Sequence, residues 1–579
     1  MPPAHRAFSS PTKTIGFLVD WLDGAYQSQI LAGARDAARD RRVNLLCFAG
    51  GMLGNEQRGG ERRNATFDLV GPENVDGVIL MSGSIGNRIG SERLLAYCDR
   101  FRELPRVSIA VELPGMASIV VDNRTGIENA IAHLIRSHGC REIAFVRGPV
   151  ANLEAELRYD VYRSVLEAHG LSLDPALVVS GDFLTETGKA AAFELLVKRG
   201  KRPDAIVTAN DQMAMGVLEG LAELRLKVPE DIAVVGFDDI EEARFTSPPL
   251  TTVRQPLYEQ GREAVRLLLS EVYGGARGER VTLHTEFVAR RSCRCFAEES
   301  RLSLGSFPKR ASFEAALVER RQIVLADLAR AARGSFGLLG AGWEGRLLSA
   351  ITNDLRGDTS TALGNALEDA LLKLLDQKAD FNLFHDVLTV LRRHLLACLE
   401  ADAEKRQQAE DLFQHARTLI GQVSERAQAQ QKLVMSRWSG ALAHAGAALL
   451  ASFDLSHMAT AVTEHFPALG IRSCFLSLIG NTGEENRLAV SYSDTSVAGL
   501  DAANHRQLDL PRYLLDSGVA GSFYVSTVFT DDRVMGYVLL DLGAREGVVY
   551  EALREFLSAA LRGAALSTRA RAAESAGQT

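Results

Sequence analysis

Cysteine is scarce and dispersed: seven in 579 residues, at Cys47, Cys98, Cys140, Cys293, Cys295, Cys398 and Cys474. An odd, scattered set does not make a disulfide framework and suits reduced thiols. Long apolar runs are missing as well. No stretch of about 18 uninterrupted apolar residues occurs, which argues against a membrane-spanning helix. The opening Met1-Pro2-Pro3-Ala4-His5-Arg6 lacks the apolar core of a signal peptide, so the chain is expected to be cytoplasmic and free of the membrane. Basic charge is not in excess. Lys and Arg number 65 against 73 Asp and Glu, a net charge of −8, without the positive surplus by which a nucleic-acid-binding domain usually declares itself.

Enzyme motifs are also lacking. There is no Walker-type glycine loop and no His-Glu-x-x-His helix, and no Gly-x-Ser-x-Gly elbow. The Gly-Gly-Asp-Glu-Phe signature of diguanylate cyclases and the His-Glu-Leu-Arg box of histidine kinases are absent too. No catalytic residue and no cofactor is therefore assigned. Cys293-Arg294-Cys295 has a spacing a metal can use, but no His or second Cys pair lies near it in the sequence. It is read as two incidental thiols, with no metal site.

What is present in the first half is alternation. Short, continuously apolar runs recur at Ile15–Val19, Val43–Phe48, Val78–Leu80, Val107–Ile109, Ile143–Val146, Ala205–Thr208 and Ile232–Val235. Amphipathic segments separate them, including Ile30–Arg39, Asn129–His138 and Met213–Leu224. Apolar strands covered on both faces, alternating with helices, predict an α/β fold with parallel sheets. Ligands of such sheets sit beyond the carboxyl ends of the strands. Polar residues fall there at Asp20, Ser82, Asp122, Asn210-Asp211 and Asp238-Asp239. Singly, each is equally well a helix N-cap; converging on one edge, they make a polar pocket.

Pro229-Glu230-Asp231-Ile232-Ala233-Val234-Val235-Gly236-Phe237-Asp238-Asp239 and Pro248-Pro249-Leu250-Thr251-Thr252-Val253-Arg254-Gln255-Pro256 resemble the signature of the lactose/galactose-repressor family. Val75–Leu80, Val121-Asp122-Asn123, Ala209–Gly216 and Arg290–Cys293 agree with it in order and spacing. The resemblance covers roughly Thr14–Cys295. It implies a two-lobed, periplasmic-binding-protein-like type I domain over 13–295, with lobes at about 13–135 plus 255–284 and 136–254 plus 285–295. It further implies that Asp122, Arg158, Asn210, Asp238 and Gln255 hold a small polar effector and that Phe183 packs on it. Asp20, Trp21, Tyr26 and Ser82 complete the candidate wall, Trp21 and Tyr26 being equally readable as lobe packing. Val161 stands where the family has Gly. Only thirteen residues precede the first strand, so the family's N-terminal helix-turn-helix is expected to be missing from its usual place.

The second half reads differently. Residues 307–440 are helical, and Ala409, Leu412, Ala416, Leu419, Val423 and Leu433 suggest a coiled-coil seam, with packing on the helix's own domain as the alternative. From 444 to 568, a helix, four strands and a last helix resemble a GAF domain, a small α+β sensor and dimerisation module. Asp454–Met458, Leu469–Cys474 and Gly536-Tyr537-Val538 carry that resemblance. His465 and Cys474 are read as structural. The whole is expected to be a homodimeric sensor, with lobe closure passed through the helices and GAF-like domain to a signalling partner protein. The alternative is a lactose-repressor-type regulator that reads DNA through a non-standard segment such as 300–440. A degenerate enzyme is the weakest reading.

Overall fold

A computed structural model of the chain describes residues 12–55, 59–295, 313–332, 339–357, 361–375, 383–400, 402–480, 486–494, 504–505, 521–530, 533–543 and 547–577. It forms two compact units, one of residues 1–296 and 440–579, the other of 297–439.

The first lobe is built from β1 (Thr14–Val19), α1 (Ala25–Asp40), β2 (Asn44–Ala49), α2 (Gly60–Asn64), β3 (Gly77–Leu80), α3 (Ser82–Ile85), α4 (Gly90–Cys98), β4 (Arg106–Ile109), β5 (Ala117–Val121) and α5 (Asn123–His138). The second comprises β6 (Ile143–Arg147), α6 (Leu153–Ala168), β7 (Val178–Ser180), α7 (Thr185–Phe193), β8 (Ala205–Thr208), α8 (Asp211–Glu223) and β9 (Ala233–Val235). The chain returns through β10 (Thr252–Arg254), α9 (Leu257–Val272) and β11 (Arg280–Leu283), then crosses again to β12 (Glu286–Val288). The second lobe's sheet has the parallel order β7-β6-β8-β9, and β10 pairs antiparallel with β12. Every residue of β1 and β2 is buried, as strands covered by helices on both faces require. Caps fix the helix starts. Asp122 accepts from Thr125 N at 3.0 Å and Asn152 from Ala155 N at 2.9 Å.

The unit of residues 297–439 holds α10 (Phe313–Ala331), α11 (Trp343–Arg356), α12 (Ala362–Leu375), α13 (Leu383–Cys398) and the first part of α14 (Ala403–Leu450). Val324, Leu348, Leu367, Leu391 and Phe413 form its core. Ala409, Ala416 and Val423 are buried in the same core, with Leu412 and Leu419 packed on it. Most of the predicted coiled-coil seam therefore faces its own bundle, and the alternative reading replaces it there. Leu433 is exposed.

The C-terminal segment adds α15 (Leu455–His465), β13 (Ser473–Leu478), β14 (Asn486–Ser493), β15 (Asn504–His505), β16 (Ser522–Phe529), β17 (Val534–Asp541) and α16 (Gly547–Gly577). Its antiparallel sheet is not free-standing. β16 pairs in parallel with β2, giving one 11-stranded sheet in the order β11-β5-β4-β3-β1-β2-β16-β17-β13-β14-β15. An edge strand exposes unpaired backbone groups, and here β16 satisfies them. Leu45 N donates to Gly521 O at 3.1 Å, and Ser526 Oγ donates to Ala49 O at 3.0 Å. Phe48, Phe67, Phe475, Phe523 and Leu539 share one core across the junction.

Candidate functional site

The carboxyl ends of β1, β3, β5, β8 and β9 deliver Asp20, Ser82, Asp122, Asn210 and Asp238 respectively, and the structure sorts them. Asp238 and Arg158 form the centre. Asp238 has φ +124°; its backbone N donates to Val253 O at 2.8 Å and its carboxyl accepts from Gln255 Nε2 at 2.6 Å. Gln255 is oriented in turn by Gln260, whose Nε2 donates to its Oε1 at 3.2 Å. Arg158, on α6, is buried with its guanidinium carbon 3.8 Å from the Phe237 ring centroid. It donates to Ala209 O at 2.6 Å and to Asn123 Oδ1 at 2.8 Å.

Electrostatics bind these residues to the first lobe. Burial raises the Asp238 carboxyl to about 7, against the opposing charge of Arg158. It raises Asp20 to about 6, although Ser84 Oγ donates to that carboxyl at 2.9 Å. Glu154 is raised by burial too, with Arg158 and Asn123 opposing. The Tyr26 phenol stands well above its ordinary value, through burial first and then the charges of Glu154 and Asp238. Asp20, Glu154, Arg158, Asp238 and Gln255 are buried, with the half-buried Tyr26 among them. The Glu154 and Asp238 carboxyls face the Arg158 guanidinium, and Asp20 is held by Ser84 and Gln27. Such a set favours a neutral ligand rich in O–H and N–H donors and disfavours an anion.

The remaining candidates hold local structure. Asp122 is a half-exposed N-cap of α5, lowered by burial-opposing hydrogen bonds at Thr125. Asn210 caps α8 through Met213 N at 3.0 Å and donates to Phe183 O at 3.0 Å. That bond holds Phe183 at φ +73°, with its ring against Gly148. The Ser82 and Ser108 hydroxyls lie 2.8 Å apart. Trp21 has the Arg63 guanidinium 6.0 Å from its ring centroid.

Sequence reasoning missed Asn123, Asn152, Glu154 and the role of Asp211. Asn152 Nδ2 crosses the cleft to Gly83 O at 3.0 Å and Asn87 Oδ1 at 2.6 Å, and Asn123 Nδ2 donates to Glu154 Oε1 at 3.1 Å. The lobes therefore touch across the cleft. The available signal was Glu154 four residues before Arg158 on one helix face. Asp211 accepts from Thr252 Oγ1 at 2.6 Å and Ile240 N at 3.1 Å, so it positions the loop carrying Asp238. Gly236 is required there, because a Cβ would overlap the Asp211 carboxylate.

Residues 131–293 match the periplasmic binding protein-like domain family. The chain is 32% identical over 263 residues to the ribose operon repressor of Escherichia coli (strain K12), covering 45% of this chain and 76% of that protein. It is 29% identical over 283 residues to the HTH-type transcriptional repressor PurR of Vibrio atlanticus (strain LGP32), covering 48% and 80%. Among solved structures it is similar to a cellobiose complex of the transcriptional regulator CelR, with 30% identity, 49% and 86% coverage and a TM-score of 0.43.

Proposed function

The chain belongs to the lactose-repressor family of regulators, and from that membership we propose that it is a transcription regulator whose effector is a small, neutral, polyhydroxylated molecule such as a sugar or nucleoside. The buried carboxyls of Glu154 and Asp238 beside Arg158 and Phe237, with Asp20 acting on the neighbouring Tyr26, carry this reading. Carboxyls and the Gln255 amide take hydroxyl donors, Arg158 supplies fixed donors, and Phe237 and Phe183 offer apolar faces to a ring. An effector shifts the lobes only by its differential affinity for their arrangements. Cross-lobe bonds from Asn152 and Arg158 are the contacts such a shift rearranges. A closed homodimer is the proposed assembly.

The continuous sheet favours a second element of the mechanism. The C-terminal domain, GAF-like in pattern, packs behind the loop that begins at Asp20, and Arg35 Nη1 donates to Gly543 O at 2.6 Å. We take this domain to transmit the effector state, to DNA or to a protein partner.

The test is a thermal-shift screen of neutral sugars and nucleosides against their phosphates. A ligand at a hundred times its Kd stabilises by about 2.7 kcal/mol. A neutral hit lost in Arg158→Ala and Asp238→Ala is expected; stabilisation by phosphates alone overturns the assignment. A gel shift with the gene's own upstream DNA should weaken steeply with salt and respond to the hit. No DNA binding with or without it would leave the protein-partner output in its place.

A further inference from the structure

Helix α5 and the last turn of the binding domain meet at a cluster that the effector site does not use. His133 and His138 come from α5, and Cys293 and Cys295 follow β12. Their ligand atoms all lie within 4.8 Å of one another. The two imidazole Nε2 atoms are 3.1 Å apart. Cys293 Sγ is 3.6 Å from His133 Nε2, and Cys295 Sγ is 3.3 Å from His133 Nε2 and 3.4 Å from His138 Nε2.

Four of the six separations are those of a tetrahedron. With metal–nitrogen bonds of about 2.0–2.1 Å and metal–sulfur bonds of about 2.3 Å, tetrahedral angles put two nitrogens about 3.3 Å apart and nitrogen and sulfur about 3.5 Å apart. All four recorded distances fall within a few tenths of an ångström of those values. The reading of Cys293-Arg294-Cys295 as partnerless rested on the absence of nearby histidines, and the fold overturns that premise by bringing His133 across 160 residues of chain.

We propose that His133, His138, Cys293 and Cys295 form a structural Cys2His2 zinc site. Two thiolates and two imidazoles in a tetrahedron select zinc among the common divalent ions. Four protein ligands leave no open position, which marks a structural rather than a catalytic centre. Binding releases the two thiol protons to solvent, including the one Cys293 now directs at Arg290 O, 3.4 Å away. Two thiolates and Zn²⁺ then make a neutral centre, which suits its surroundings: Cys293 is fully buried and the Phe287 ring lies 4.9 Å from that of His133. The metal would tie the end of α5, where the chain first leaves lobe one, to Cys293–Cys295, where the binding domain ends. Two of the three crossovers would thereby be pinned at one point, leaving closure to bend around it.

The experiment uses the untagged full chain, prepared without chelator, with metal content read by mass spectrometry. About one zinc per chain is expected. After chelation under reducing conditions, added Co²⁺ should give the visible bands of tetrahedral cobalt and a thiolate charge-transfer band in the near ultraviolet. Cys295→Ser and His138→Gln should each lower zinc occupancy at limiting metal by about tenfold or more. The cobalt spectrum of the unmodified chain keeps the test decisive if either variant misfolds. A folded full chain with less than a tenth of an equivalent of zinc and no cobalt bands overturns the proposal, as does unchanged zinc content in both variants.

Discussion

Asp238 and Asp239 are adjacent in the chain, and the fold drives their carboxyls in opposite electrostatic directions. Asp238, at φ +124°, turns into the proposed effector site beside Arg158, where burial raises it to about 7. Asp239, at φ +57°, turns to Arg290 and Arg254 at 2.5 and 2.7 Å, and those cations hold it below the ordinary carboxylate range against its burial.

The first consequence concerns pH. A carboxyl whose folded value lies above its unfolded one binds its proton more tightly in the folded state. Its contribution is complete at acid pH and is lost as pH rises towards the folded value. Asp238 acts between its ordinary 3.8 and about 7, and Asp20 between 3.8 and about 6. The ligand-free protein should therefore lose stability from pH 4 to pH 7, by up to about 1.4 kcal/mol per pH unit for each group that titrates. Asp238→Asn should flatten the upper part of that slope in thermal melts. An identical slope in the variant would show that Asp238 is already ionised at neutral pH.

Asp239 makes the opposite case. Its side chain is fully buried while Arg290 and Arg254 are 15% and 27% exposed. Asp239→Asn keeps the shape and removes the charge, taking the counter-ion from Arg290 and leaving Arg254 only the more exposed Glu286, 2.8 Å away. Breaking a buried pair from one side costs about 3–5 kcal/mol, and the partial exposure of the arginines places the expected loss at about 3 kcal/mol. Denaturant unfolding followed by a fluorescence probe on the second lobe checks it. A loss below about 1 kcal/mol would mean that water already screens this cluster.

How much of this was legible in sequence depends on range. The strands were readable because Thr14–Val19 and Asn44–Ala49 are apolar at nearly every position, as burial on both faces demands. Asp238 was readable as a candidate because it follows a strand at the edge where ligands of such sheets collect. Its neighbour's contrary role was not, since the partner arginines stand 15 and 51 residues away. Nor did β2 carry any mark of β16, which docks on it from 477 residues along the chain. A strand's sequence reports which faces are covered, not what pairs with its edge. Ala409, Ala416 and Val423 failed likewise: a helical apolar stripe calls for cover, and the bundle of its own unit supplies it.

The junction between the first lobe and the C-terminal domain is held by charge as well as by β16. Arg63 Nη2 donates to Glu551 Oε1 at 2.5 Å, with the Arg63 side chain 3% exposed, and Arg554 Nε reaches the other oxygen at 3.5 Å. Glu551→Gln should destabilise by about 3 kcal/mol, because the buried Arg63 loses its counter-ion, whereas Arg554 keeps Glu555 at 3.0 Å. Replacing the pair together, Arg63→Leu with Glu551→Leu, should recover much of that loss, since apolar side chains can fill a buried ion pair's place. Calorimetry of the single and double variants measures the coupling. If the double variant is as unstable as the sum of the singles, the two residues do not act as a pair.

The last prediction links that junction to the proposed effector site. Gly547 begins α16 directly against the loop after β1, and a Cβ there would overlap the carbonyl oxygen of Leu22. That oxygen already accepts from Ser28 Oγ at 3.0 Å, and Leu22 is buried. Gly547→Ala must therefore displace either α16 or the loop. Overpacking of this kind costs about 1–3 kcal/mol, so a lower melting temperature is expected on either route. The routes separate at the site. Movement of the loop carries Asp20 away from Gln27 and Ser84, and the stabilisation given by a fixed concentration of effector should fall, although Arg158 and Asp238 are untouched. An unchanged effector-induced shift at a lowered melting temperature would place the displacement in α16 alone. It would also remove the loop as the physical link between effector and C-terminal domain.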